Sequence, residues 1–267
     1  MKIDYNLQLN KNNKLQHFLN IENLSKEHIN EIIDLADNYI SSNSNKFKDL
    51  EGKTIASLFF EPSTRTKTTF ELASKRLSAD FINIDIANSS TLKGESILDM
   101  IKTLEAMECD MFIVRHSSSG TPHYIAKEVG DKISIINAGD GIHAHPTQAM
   151  LDMYTIKKHK GGFENLNVSI VGDILHSRVA KSLIASLKIL SVANINIIGP
   201  KNLMPENINE LGVNYFSNLE EGINNVDVII MLRLQQERMK EAFISTEDYY
   251  NDYGLTKKKI KLAKKDV

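Results

Sequence analysis

With 267 residues and 42% hydrophobic content, the chain can bury a substantial core, and two modest domains are expected rather than one large one. Lys and Arg (32) nearly balance Asp and Glu (34), leaving a formal charge of -2, so nothing draws the chain as a whole to a polyanion and nucleic acid is not an expected partner. The start, "MKIDYNLQLNKNNKLQHF", lacks the apolar core of a signal peptide and no later stretch approaches membrane-spanning length, which predicts a soluble cytoplasmic protein without a membrane partner.

Residues 25 to 42 open on a capping Ser25 and set Ile29, Ile32, Ile33, Ala36 and Ile40 on one helical face. Short β-rich runs then alternate with helical patterns. Strands are predicted at 54–60, 81–86, 111–114 and 133–137, with helices from about Thr64 and over 96–108. The single cysteine, Cys109, sits among Met107, Met111 and Phe112, where packing is the expected role; alone it can form neither an internal disulfide nor a thiolate cluster. A further helix carries Ala149, Met150, Met153 and Ile156 as a stripe and stops at Gly161 and Gly162. The alternation restarts with strands at 167–172, 194–199, 213–216 and 226–232 and a helix over 179–190. An α/β protein of two domains follows, each a parallel sheet flanked by helices, with a boundary at 145/146. The Lys-rich end, "LTKKKIKLAKKDV", reads as the solvated face of a short helix.

The stretch "FFEPSTRTKTTFELASKRL" (59–77) ends an apolar run at Pro62 and places Ser63, Thr64, Arg65 and Thr66 at a helix start, with Phe70, Ala73 and Leu77 expected on its buried face. A helix N-terminus offers unpaired N–H groups and a positive dipole end, and guanidinium holds phosphate through paired hydrogen bonds, so a phosphate-bearing anion suits this corner better than a lone carboxylate. A histidine before Pro146 could simply close a turn, yet Gln148 lies within the same first helical turn, so His145 and Gln148 can reach one small ligand. His143 and His145 lack further ligands at metal spacing, and no metal site is expected. Arg178 and Arg233 follow predicted strands, where α/β proteins bind ligands; taken alone, either could be a surface arginine. "VGDILHSR" lacks the Gly-x-Gly-x-x-Gly pattern, so neither a nicotinamide nor any other cofactor is expected.

The 59–77 stretch resembles the carbamoyl phosphate motif of the transcarbamylase family, whose Ser-Thr-Arg-Thr core stands here unchanged as Ser63, Thr64, Arg65 and Thr66. "SSTLKGESILD" (89–99), "VRHSSSG" (114–120), "NAGDGIHAHPTQAMLD" (137–152) and "RLQQER" (233–238) agree in order, and the resemblance runs from about Leu15 to the last residue. The Lys-Gly-Glu and Arg-x-Gln-x-Glu-Arg segments look like the aspartate-using branch rather than the ornithine-using one.

The resemblance implies that residues 1–145 bind carbamoyl phosphate and 146–267 bind L-aspartate, with the carbamoyl group passing to the aspartate amine in pyrimidine synthesis. It implies that Ser63, Thr64, Arg65 and Thr66 hold phosphate, that Arg115, His145 and Thr66 face the carbonyl oxygen, and that Gln148 lies by the carbamoyl amide. Arg178 is implied for the α-carboxylate of aspartate, and Arg233 with Gln235 for its side-chain carboxylate. Ser89 and Lys93, by themselves a flexible polar turn, are implied to reach the active site of an adjacent subunit in a homotrimer. The family continues beyond "KLAKKDV" into a strand, a loop beside the aspartate site and a terminal helix, so a C-terminally truncated chain is expected. Transfer to another amine such as ornithine, and a non-catalytic carbamoyl phosphate binder, stand as alternatives, and regulatory chains are left open.

Overall fold

The computed structural model describes residues 5–84, 86, 96–235 and 245–267. The loop with Ser89 and Lys93, and residues 236–238 of "RLQQER", lie outside the described residues. The chain divides into two compact units, Met1–Met150 and Leu151–Val267.

The first unit contains α1 (Lys26–Ser41), β1 (Thr54–Phe59), α2 (Thr64–Arg76), β2 (Asp80–Ile84), α3 (Ile97–Ala106), β3 (Met111–His116), α4 (Thr121–Glu128), β4 (Ser134–Asp140) and the start of α5 (Pro146–Lys160). Its sheet runs β2-β1-β3-β4, every pair parallel. Alternation along the strands divides the core between two faces. Ala56, Leu58, Phe112, Val114 and Ile135 pack with Met100, Ile101 and Leu104 of α3 and Ile125 and Ala126 of α4. Ile55, Ile113 and Ala138 pack on the other face, with Phe70 of α2 against them. Cys109 is 4% exposed within the first cluster, and burial pushes its thiol pKa up, which suits packing rather than chemistry.

Two helix faces differ from expectation. In α1, Ile29 and Ile33 are buried but Ile40 is 58% exposed. In α2, Phe70 and Leu77 are half-buried, Ala73 is exposed, and the buried position is Ser74, whose hydroxyl donates to the Phe70 carbonyl at 2.8 Å. The cause is shared: Ile40, Tyr39 and Phe47 border an open groove of about 370 Å³ with Ala73, Arg76 and Leu77. Helix α4 has no counterpart in the sequence reading, because its buried face mixes Pro122 and His123 with Ile125 and Ala126 and so shows no apolar period.

The second unit contains β5 (Asn167–Val171), α6 (Arg178–Ile189), β6 (Asn194–Ile198), β7 (Asn214–Phe216), α7 (Leu219–Gly222), β8 (Val228–Met231) and α8 (Thr246–Tyr253). Its parallel sheet runs β7-β6-β5-β8. The chain is therefore α/β, with two parallel sheets flanked by helices. The Lys-rich end forms only a single 3-10 turn, Lys259–Leu262, and Lys264 is not simply solvated: its amine meets Asp227 Oδ1 at 2.7 Å. No described helix is long and apolar enough to cross a membrane.

An N-terminal arm covers the free edge of β4. Phe18 donates to the Ile135 carbonyl at 2.8 Å and accepts from Asn137 at 2.9 Å. Gln8, 1% exposed, locks the arm: its Oε1 accepts from Leu19 and Asn20 N–H, and its Nε2 donates to Asn20 Oδ1 at 2.8 Å. His17, 7% exposed, accepts the Ile135 N–H at Nδ1, 3.1 Å away. Burial pushes its pKa down from 6.5 to about 4, so the folded chain holds it neutral. The unfolded chain binds the extra proton below its own pKa, so this group's stability is intact above that value and lost on acidification toward about pH 4. The loss approaches about 1.4 kcal/mol per pH unit within that window. Urea midpoints measured at pH 7 and pH 5 should fall less in His17→Asn, which keeps an acceptor that cannot titrate, than in the parent; equal falls would clear His17 of the effect.

Candidate active site

Because β1, β3 and β4 run parallel side by side, their carboxyl ends meet at one edge of the first sheet. After β1 the chain passes Glu61 and Pro62 and enters α2 through Ser63. Serine at this position normally caps the helix with its hydroxyl, but Ser63 makes no capping bond. Among the described residues the side chains of Ser63, Thr64, Arg65 and Thr66 make no hydrogen bond or ion pair, although the Thr69 hydroxyl donates to the Arg65 carbonyl at 2.8 Å, and Thr64 and Arg65 are exposed. A helix entrance with its donors and its guanidinium uncommitted is suited to an anion.

Arg115 stands one residue before the end of β3, opposite Phe59, and its carbonyl accepts the Phe60 N–H at 2.8 Å, which sets it beside the approach to α2. The β3–β4 register shifts between Val114 and His116, so the ladder is irregular where Arg115 stands. Its guanidinium meets Glu61 Oε1 at 2.7 Å and donates to the Ala138 carbonyl at 3.0 Å. The next residue, His116, is pushed toward the neutral form by burial, with Glu61 and Asp140 opposing that shift.

Beyond β4, the turn 141–145 delivers His145, half-buried, to the entrance of α5, with Gln148 in the helix's first turn. Thr147 Oγ1 lies 3.5 Å from His145 Nδ1. Asp140, fully buried, sits behind this turn: its carboxylate accepts from Gly120 N at 2.7 Å, Asn137 Nδ2 at 2.9 Å and Ala144 N at 3.1 Å, and lies 3.0 Å from His143 Nδ1. Burial alone would push its pKa up, yet His143 and the converging N–H donors hold the carboxyl below the usual range.

In the second unit, β5 and β8 are neighbours, and Arg178 and Arg233 follow them at the carboxyl edge of that sheet. Arg178 opens α6 and is only 4% exposed; Ser177 caps the helix by accepting from Ala180 N at 3.2 Å. A cation at the positive end of a helix opposes the dipole. Arg233 is exposed, and its Nη2 donates to Gln235 Oε1 at 3.5 Å. Asp173, fully buried, ties the two loops: it accepts from His176 N at 3.0 Å and Gln235 N at 3.3 Å. Gly172 allows their approach, since a Cβ there would stand 2.9 Å from the Leu232 carbonyl.

The described residues thus gather Ser63, Thr64, Arg65, Thr66, Arg115, His145 and Gln148 along one sheet edge, and Arg178, Arg233 and Gln235 along the other. Glu61, Asp140 and Asp173 are the organising residues that sequence reasoning passed over. Each is an acid inside a quoted motif, and for Asp140 and Asp173 the adjacent glycines were the available signal. Among the described residues no group of three or more His, Cys, Asp or Glu could hold a metal ion.

Comparison with known proteins matches nearly the whole chain to one family. Residues 16–158 match the aspartate/ornithine carbamoyltransferase, carbamoyl-P binding domain, and residues 164–267 match the Asp/Orn binding domain of the same family. Aspartate transcarbamoylase from Trypanosoma cruzi, solved with carbamoyl aspartate and phosphate, is similar at TM-score 0.83 and 28% identity over 94% of this chain and 83% of that one. The same enzyme with carbamoyl phosphate and aspartate gives 0.82 and 28% over 94% and 81%. The catalytic subunit of M. jannaschii aspartate transcarbamoylase gives 0.75 and 32% over 89% and 79%.

Gly141 offers a direct test of the first corner. Its φ is +45°, its N–H donates to the His116 carbonyl at 2.9 Å, and a Cβ would overlap Ser119 Oγ and stand 2.7 Å from Ser119 N. Gly141→Ala is expected to cost about 1–3 kcal/mol in chemical denaturation, through left-handed strain plus a clash that backbone must relieve. An unchanged midpoint would mean the two loops do not pack this closely.

Proposed function

We propose, for a chain that belongs to the aspartate/ornithine carbamoyltransferase family, that its reaction moves the carbamoyl group from carbamoyl phosphate to the α-amino group of L-aspartate, giving N-carbamoyl-L-aspartate and phosphate. The observation that carries this reading is the uncommitted helix entrance of Ser63, Thr64, Arg65 and Thr66 at the sheet edge that also bears Arg115 and His145. The Trypanosoma cruzi aspartate transcarbamoylase, solved with carbamoyl phosphate and aspartate and also with carbamoyl aspartate and phosphate, supports the choice of substrates.

In this reading the N–H groups at the start of α2, the three hydroxyls and Arg65 take the phosphate. Arg115, His145 and Thr66 polarise the carbonyl oxygen, and Gln148 accepts from the carbamoyl amide. Arg178 takes the α-carboxylate of aspartate, and Arg233 with Gln235 its side-chain carboxylate, so charge and spacing together select the amine. The neutral amine attacks the carbonyl carbon, the oxygen gains negative charge in the tetrahedral centre, and the bond to the phosphate oxygen then breaks. The leaving phosphate is itself a competent acceptor for the amine's proton, so no protein nucleophile is needed. The setting is cytoplasmic pyrimidine biosynthesis, in a homotrimer whose neighbouring subunits lend Ser89 and Lys93.

Carbamoyl aspartate should appear, with equal phosphate, when carbamoyl phosphate and aspartate are supplied, and ornithine should not substitute. Preference for ornithine would reassign the amine. Carbamoyl phosphate binding by calorimetry without aspartate-dependent phosphate release would leave a binding protein only.

Arg65→Ala should lower turnover by about two orders of magnitude or more, with an unchanged melting temperature, since an exposed helix-entrance side chain contributes little packing. Unfolding of that variant would make Arg65 structural. Mixing Arg65→Ala chains with Lys93→Ala chains should restore part of the activity. Mixed trimers that stay inactive would refute shared sites.

A further inference from the structure

We infer that Asp140 is a positioning residue, whose buried carboxylate clamps the chain segment leading from Arg115 to the segment leading into His145. The inference rests on the transfer reaction proposed above. After β3 and β4 the chain leaves the sheet, and residues 117–120 and 141–145 have no strand pairing to each other. The Asp140 carboxylate joins the two segments directly. Oδ2 accepts from Gly120 N at 2.7 Å, on the far side of the loop after Arg115, and Oδ1 accepts from Ala144 N at 3.1 Å, the residue before His145. Asn137 Nδ2, 2.9 Å from Oδ1, fixes the carboxylate from below while donating also to the Leu19 carbonyl at 2.8 Å. His143 Nδ1 lies 3.0 Å from Oδ2, and its ring stands edge-on to the fully buried His123 at 5.5 Å.

The chemistry of the donors specifies an ionised carboxylate. Both clamp contacts are backbone N–H groups, which only donate, so the residue between them must present two acceptor oxygens. A buried carboxylate is tolerated only with such a full set of partners. Gly141, held against the opposite loop through the His116 carbonyl, brings the two segments within reach of this one side chain.

The test is Asp140→Asn, which preserves shape but turns an amide NH₂ toward Gly120 N or Ala144 N. Carbonyl-facing groups displaced by about 1 Å cost on the order of 10²-fold, so kcat should fall by that order. The KM for carbamoyl phosphate should move less than about threefold, because phosphate is held by a different loop. Asn137→Ser is the control: it removes the bonds to Asp140, to the Leu19 carbonyl and from Gly139 N–H but leaves both clamp contacts, so it should lower the melting temperature and keep kcat within about threefold. Asp140→Asn with a lowered melting temperature and parental kcat would reduce the residue to a structural role and overturn the inference.

Should Asp140→Asn not fold, amide hydrogen exchange of the parent chain decides. Gly120 and Ala144 amides protected like that of Ile113 sustain the clamp, and exchange at open-loop rates overturns it. Absence of any turnover in the parent chain would count against the transferase reading, while exchange still judges the clamp.

Discussion

Parallel pairing is the constraint on which the rest depends. When β1, β3 and β4 run in one direction with their registers locked, the loops that leave them open onto one edge, whatever their length or sequence. The same holds for β5 and β8 in the second unit. Residues more than eighty positions apart in the chain, such as Arg65 and Gln148, come to one edge because of backbone ladders to which they contribute nothing themselves. The arm that covers β4 belongs to this constraint: it satisfies an edge that would otherwise be free, directly before the turn that carries His145.

Electrostatics at both edges follows a common scheme. Cations are presented toward the loops, and each set is backed by an acid drawn inward. Glu61 engages Arg115, Asp140 gathers N–H donors from the loops on either side of it, and Asp173 joins the loop before Arg178 to the segment after Arg233. These acids hold backbone as much as charge. Asp140 and Asp173, both fully buried, use backbone N–H groups for much of their satisfaction, so they set loop conformation.

The uncommitted state of the α2 entrance gains meaning by contrast with other helices. Ser25, Ser96, Ser177 and Ser245 all cap their helices through the side chain, as serine does at this position. Ser63 alone among these serines does not, and the helix it opens carries Arg65 in its first turn. A cap withheld is a local cost, and such costs gather where a ligand supplies the missing partner.

Sequence by itself determined the α/β class, the order of most strands, the stripe of Ala149, Met150, Met153 and Ile156, and the chemical identity of the anion-binding candidates, since period-2 and period-3.6 patterns and a Ser-Thr-Arg-Thr run are local properties. Only the tertiary structure decided what depends on partners distant in the chain. It buried Ser74 rather than Ala73, exposed Ile40 along a groove, formed α4 around a buried His123, and made Asp140 and Asp173 the ties between loops. An aspartate beside a glycine looks the same in a sequence whether it faces water or closes a ring of backbone donors. The difference is made by segments that pairing brings near, and no local period records them.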